Sequence, residues 1–174
     1  LDFIQEDLPN LLHSMTFGIS RIRDISTSLR TFSRADKEYK TAFNLHDGID
    51  STLLILKHRL RSDGKMPSIE VVKDYGSLPE VKCFAGQINQ VFMNLIANAI
   101  DALEEMNEKR DTSKTANHTG RITITTALKG KQSVSVAIAD NAMGMNETVQ
   151  ARIFDHLFTT KAVGKGTGLG LAIS

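Results

Sequence analysis

Gln87-Ile88-Asn89-Gln90-Val91-Phe92-Met93-Asn94-Leu95-Ile96-Ala97-Asn98-Ala99-Ile100-Asp101-Ala102-Leu103-Glu104-Glu105-Met106 is the stretch on which the fold turns. Ile88, Val91, Phe92, Leu95, Ile96, Ala99 and Leu103 recur at intervals of three and four, the spacing of a helix that buries a wide apolar face. The pattern predicts a helix over 87–106, packed on a partner layer. Asn94 and Asn98 lie four apart and stack on one face of that helix, and Asp101 follows three residues later. Two readings of this row stay open: a solvated polar face, or side chains gathered on a polar ligand, since amides buried without partners are costly.

Outward from this helix the periodicities alternate. Leu45, Ile49, Leu53, Leu56 and Leu60 predict a helix over 45–60, closed by the turn residues Ser62-Asp63-Gly64. Stretches 68–75 and 80–84 read as short strands separated by Gly76-Ser77-Leu78-Pro79. The polar run 107–120 reads as a loop. Ile122, Ile124 and Thr126 alternate with Thr123 and Thr125, and Val134, Val136 and Ile138 alternate in the same way after only four residues. This predicts an antiparallel hairpin over 121–128 and 133–139. A short helix is expected over 147–154. The fold class is therefore α/β, an α+β sandwich with helices packed on one face of a mixed sheet.

Ahead of this domain, Leu8, Leu11, Met15, Ile22, Ile25, Leu29 and Phe32 follow a repeat of seven, widened by Leu12 and Ile19. That is the seam of a long N-terminal helix, either packed on its own domain or paired with another helix. The polar run Arg30-Thr31-Phe32-Ser33-Arg34-Ala35-Asp36 leads out of it, dividing the chain into 1–36 and 37–174.

Composition excludes more than it assigns. The 174 residues are 41% hydrophobic and 24% charged, close to a globular average, so neither disorder nor a fibrous repeat is indicated. A net charge of +1 gives no reason to expect nucleic acid or an anionic membrane as partner. Cys83 is the single cysteine, which rules out an internal disulfide and fits a reducing compartment. Apolar runs such as 91–97 fall far below the roughly 20 residues of a membrane span, and no signal peptide opens the chain. A soluble cytoplasmic stretch is expected, from a parent that can still be membrane-anchored elsewhere.

Three further motifs stand beside the paired asparagines. Asp140-Asn141-Ala142-Met143-Gly144-Met145 ends a predicted strand. A carboxylate there can accept a hydrogen bond from an exocyclic amine, and Gly144 permits close backbone approach to a flat base; an ordinary Asp-Asn turn is the alternative. Phe154-Asp155-His156-Leu157-Phe158-Thr159-Thr160-Lys161 brackets a turn with two aromatics and leads to hydroxyls and a cation. Gly164-Lys165-Gly166-Thr167-Gly168-Leu169-Gly170-Leu171 can turn backbone amides inward as an anion cradle, where a flexible linker is the alternative. Leu169, Leu171 and Ile173 want burial and count against a linker.

In this order, the four motifs strongly resemble the N box, G1 box, F box and G2 box of histidine kinases, within the wider GHKL group of ATPases and kinases. The resemblance covers about residues 45–174. It implies a Bergerat-type ATP site, with Asn94 and Asn98 at Mg²⁺ and phosphate and Asn98 as the metal ligand. Asp101 shares their face, Asp140 meets the adenine amine, and Gly144 lies beneath the base. The segment 154–170 resembles a lid closing over the triphosphate through Phe158, Thr160, Lys161, Gly166, Thr167, Gly168, Leu169 and Gly170. Asn94 and Lys161 are the expected catalytic side chains. Ala142 departs from the glycine usual at its place, and the closing helix and strands of the family would follow Ser174, so the catalytic unit is expected to be truncated there.

Residues 8–34 are similar to the second helix of a dimerisation and phosphotransfer bundle, ending in Leu29-Arg30-Thr31-Phe32-Ser33-Arg34. In such kinases the phosphoacceptor His lies on the first helix beside an acid and a nearby Pro. His13, His46, His58, His118 and His156 lack that context and are expected as surface or packing residues. The resemblance implies a homodimer through that bundle and a response regulator receiver domain as partner. Hydrolytic GHKL members place a Glu where Asn94 stands, and an amide is no general base. Phosphoryl transfer to a protein histidine is therefore the expected activity. A GHKL-type ATPase and a non-catalytic nucleotide-sensing or dimerisation scaffold are the alternatives.

Overall fold

Thirteen apolar side chains among the described residues are buried below a tenth of their exposure and form one core, with nearly half of them on a single helix. In this computed structural model of the protein, residues 15, 19, 39–61, 67–108, 119–130, 132–156, 158–161 and 171 are described. In chain order they form β1 (Thr41–Phe43), α1 (Leu45–Ile55), α2 (Lys57–Leu60), β2 (Glu70–Tyr75), β3 (Val81–Cys83), α3 (Ala85–Glu108), β4 (Arg121–Lys129), β5 (Ser133–Asp140) and α4 (Glu147–Gln150). Met15 and Ile19 are helical and exposed. The rest of the helix expected in 1–36 lies outside the described residues, as does the glycine-rich segment 164–170.

The expected helix over 87–106 is α3, two residues longer at each end. Phe92, Ile96, Ala99, Ile100, Leu103 and Met106 are its buried apolar stripe. They meet Leu45, Ile49 and Leu53 of α1 and Ile122 and Ile124 of β4 in the common core. At about 25 cal/mol per Å², burial of side chains of this size is worth roughly 1.5–3 kcal/mol each. The three-stranded sheet runs β2-β4-β5, with β2 parallel and β5 antiparallel to the central β4. It is thus mixed, with α1 and α3 in the layer that covers the Ile122-Ile124-Thr126 face, as the alternation predicts. The hairpin register sets Ile122 opposite Asp140, so the last residue of β5 emerges at the rim of the core.

Two local expectations are corrected, and one strand is added that the sequence does not announce. The single helix over 45–60 is two helices, because Leu56 leaves helical geometry at φ −82°, ψ 1°. The break re-aims Arg59 towards α3. The helix over 147–154 closes after Gln150, with turns continuing to Phe154. It buries no residue, so tertiary packing does not sustain a longer run. β1 carries no alternating apolar pattern yet pairs antiparallel with β3 through Thr41–Cys83 and Phe43–Val81, an order that backbone hydrogen bonding supplies without a sequence signature.

Side-chain hydrogen bonds tie α1 to the sheet. The Asn44 side chain accepts the His46 N–H at 3.0 Å and caps the helix. His46 stacks on Tyr75, with ring centroids 4.3 Å apart and planes 3° from parallel. Its Nε2 lies 2.9 Å from Thr126 Oγ1. Tyr75 in turn donates to Asp50 Oδ1 at 2.9 Å. Burial, followed by that hydrogen bond and the Asp50 charge, lifts the phenol well above its ordinary value. His46 is therefore a packing residue, as its sequence context implies.

Where α1 crosses α3 there is no room for a side chain at Gly48. A Cβ there would lie 2.5 Å from Asn89 Oδ1 and 2.8 Å from the Phe43 ring. Gly48→Ala should lower stability by about 1–3 kcal/mol through overpacking, despite the better helix propensity of Ala. Urea denaturation midpoints of the two proteins check this.

Candidate functional site

Burial of the apolar stripe on α3 turns the opposite side of the helix towards solvent, and Asn94, Asn98 and Asp101 lie there, each half-buried. Two cations converge on this row. Lys161 donates to Asn98 Oδ1 at 3.2 Å and to Asp101 Oδ2. From the other side, Arg59 Nη2 meets Asp101 Oδ1 at 2.5 Å and Glu104 Oε2 at 2.5 Å, while its Nε donates to Glu104 Oε1 at 3.3 Å. Each oxygen of Asp101 thus has its own cation. Burial alone pushes the Asp101 carboxyl up, but the hydrogen bonds and charges of Lys161 and Arg59 more than offset it, leaving the carboxyl below its ordinary value. Arg59 is lifted in the same way: burial opposes its charge, and Glu104 and Asp101 outweigh the burial.

The second part of the site is the turn after β5. Asp140 is exposed, and its Oδ1 accepts the Ala142 N–H at 3.0 Å, which fixes the carboxylate at the strand end. Asn141 clips this turn to the start of β4. Its Oδ1 accepts the Arg121 N–H at 2.7 Å, its N–H donates to the Arg121 carbonyl at 3.2 Å, and its Nδ2 donates to the Thr119 carbonyl at 3.2 Å. Ala142 packs against the hydrophobic core, so its methyl has a place within the protein. Gly144 has φ +69° and open space where a side chain would begin. Backbone conformation, rather than crowding, is what calls for glycine there.

Beyond α4, Phe154 is exposed, and Phe158 is half-buried with the Arg152 guanidinium 4.4 Å from its ring centroid. Thr160 is exposed beside Lys161. Among the expected site residues, the fold thus joins Asn98, Asp101 and Lys161 directly and sets Asn94 on the same row. It presents Asp140 and Gly144 on a braced turn. Gly166, Thr167, Gly168, Leu169 and Gly170 lie outside the described residues.

Arg59 and Asn141 were not foreseen as parts of the site. Asp101 and Glu104, three apart on one helical face, are a signal that a cation must face them. That Arg59 supplies it depends on the break at Leu56, which no local motif marks.

The oxygens of Asn98 and Asp101 already hold a cation in the form of the Lys161 ammonium, and such a pair suits Mg²⁺ by donor chemistry. Among the described residues no group of three or more His, Cys, Asp or Glu could hold a metal.

The depressed Asp101 carboxyl makes a pH prediction. Its contribution to stability is fully present above its unfolded value of about 3.9 and is lost as pH falls through that value towards the folded one. The difference in urea midpoint between the unsubstituted protein and Asp101→Asn should be clear at pH 7 and shrink as pH falls below about 3.9.

Comparison with known proteins places this geometry. The family described as histidine kinase-, DNA gyrase B-, and HSP90-like ATPase matches residues 85–174. The C4-dicarboxylate transport sensor protein DctB of Pseudomonas aeruginosa is 27% identical over 169 residues, which is 97% of this chain and 25% of that protein. The sensory histidine kinase/phosphatase NtrB of Azospirillum brasilense is 30% identical over 159 residues, 88% of this chain and 37% of NtrB. The chain therefore spans about a quarter to two-fifths of these relatives. The solved catalytic domain of histidine kinase ThkA superposes with a TM-score of 0.55 at 26% identity, covering 77% of this chain and 75% of that one. Among the described residues no helix is long and apolar enough to cross a membrane. The chain belongs to the family of histidine kinase-, DNA gyrase B- and HSP90-like ATPases, and its catalytic domain is of the sensor histidine kinase type.

Proposed function

We propose that this chain binds Mg-ATP and transfers the γ-phosphoryl group to a histidine on a helix outside it, for relay to the aspartate of a response regulator receiver domain. The supporting observation is the meeting of Asn98, Asp101 and Lys161, an oxygen pair with a cation, on the face of α3 opposite the core. Asn98 and Asn94 offer amide oxygens to a metal and its phosphates, and Lys161 offers ammonium donors to phosphate oxygens. Bound Mg²⁺ supplies charge neutralisation of the triphosphate. In the transfer, the bond between the γ-phosphorus and its bridging oxygen breaks, a phosphorus–nitrogen bond forms, and ADP leaves.

Asp140, braced by the Ala142 N–H, accepts a hydrogen bond from the adenine amine, and Gly144 allows the base to lie close to backbone. Phe158 and Thr160 are assigned to the phosphates, together with Gly166, Thr167, Gly168, Leu169 and Gly170, which lie outside the described residues. Asn94 orients rather than removes a proton, because an amide is no base. That chemistry favours transfer to a protein nucleophile over hydrolysis. We assign residues 1–36 to the dimerisation bundle and 37–174 to the catalytic unit. The exposed apolar Met15 and Ile19, four apart on one helical face, support pairing with another helix in a homodimer. The setting is cytoplasmic.

Asn98→Ala should weaken Mg-ATP binding by roughly tenfold to a hundredfold, the worth of a contact to a charged group, with the circular dichroism melt retained. Calorimetry showing unchanged affinity would remove Asn98 from the site. Asp140→Asn should reduce the preference for ATP over GTP by roughly tenfold. Equal binding of both nucleotides by the unsubstituted protein would contradict the role given to Asp140.

A further inference from the structure

We propose that Arg59 is a positioning residue of the nucleotide site: it clamps Asp101 so that the second carboxylate oxygen holds the Lys161 ammonium against Asn98. This role rests on the nucleotide reading above. Arg59 lies on α2, 42 residues before Asp101 in sequence, and the break at Leu56 directs it to α3. Its guanidinium takes Glu104 through both Nε and Nη2, and Nη2 also takes Asp101 Oδ1. A planar fork gripping two acids three residues apart sets the carboxylate's rotation as well as its charge. Only Oδ2 then faces Lys161.

Two consequences favour nucleotide binding. Lys161 is held with two of its three N–H donors engaged, by Asn98 and by Asp101. An ammonium fixed in this way reaches a phosphate oxygen with little further loss of side-chain freedom. Arg59 also balances one of the two negative charges that Asp101 and Glu104 bring to the face where a triphosphate would sit. Lys161 balances the other. Without Arg59, the pair of carboxylates repels the incoming anion and Asp101 is free to turn away from Lys161. Arg59 therefore acts through Asp101 and touches neither nucleotide nor metal.

A double-substitution cycle on the whole chain, read by calorimetry with Mg-ADP and Mg-AMPPNP, tests this. Arg59→Gln should weaken binding roughly fivefold to tenfold in the unsubstituted background and by no more than about twofold beside Asp101→Asn. Arg59→Lys, which keeps the charge but loses the fork, should show the same direction and the same dependence on Asp101 if the Gln variant does not fold. Before nucleotide is added, amide hydrogen exchange over 158–161 should rise in either variant. Affinity unchanged by both substitutions, or lost to the same degree with and without the Asp101→Asn change, overturns the positioning role while leaving the nucleotide reading intact. Absence of any binding by the unsubstituted chain overturns both.

Discussion

The burial of one stripe on α3 is the constraint from which the rest follows. Phe92, Ile96, Ile100 and Leu103 must leave water, and each is almost wholly inaccessible. Because a helix is rigid, their burial fixes by rotation where every other side chain on it points. Ile96 inside means Asn98 outside. The covering layer is equally specified: Ile122 and Ile124 come from alternate positions of β4, whose register with both neighbours follows from that alternation. The polar row is thus a by-product of hydrophobic packing, aimed to within the precision of a helix rather than that of a loop.

What was legible in the sequence and what was not divides along the same line. The α3 helix, the β4–β5 hairpin and the mixed sheet were readable because each is driven by a periodic apolar pattern. The row Asn94-Asn98-Asp101 was readable because helical spacing alone puts its members on one face. β1, the break at Leu56 and the early close of α4 were not, since each depends on partners distant in sequence or on the lack of them. The grip of Arg59 on Asp101 and Glu104 belongs to this second class: the acids announce a need for a cation, and only the folded chain says which one answers.

The two halves of the site are held by different physics. The Asp140 turn is fastened by neutral amide bonds from Asn141 to both Arg121 and Thr119, together with packing of Ala142 on the core. The Lys161 end is fastened by charge, at side chains about a third exposed. Ion pairs of this exposure contribute modestly and are screened by salt, whereas neutral hydrogen bonds are not. A fixed half and a yielding half suit a site that must recognise one face of a ligand while admitting and releasing the other.

The Asn141 clip has a consequence beyond bracing. By joining the last residues of β5 to the first of β4, it closes the open end of the hairpin, where the strands would otherwise fray. The ladder is then shut at both extremities, by the tight turn at Gly130 and by this side chain. A strand pair closed at both ends opens less readily, so the Asp140 carboxylate keeps its place relative to the sheet that carries it.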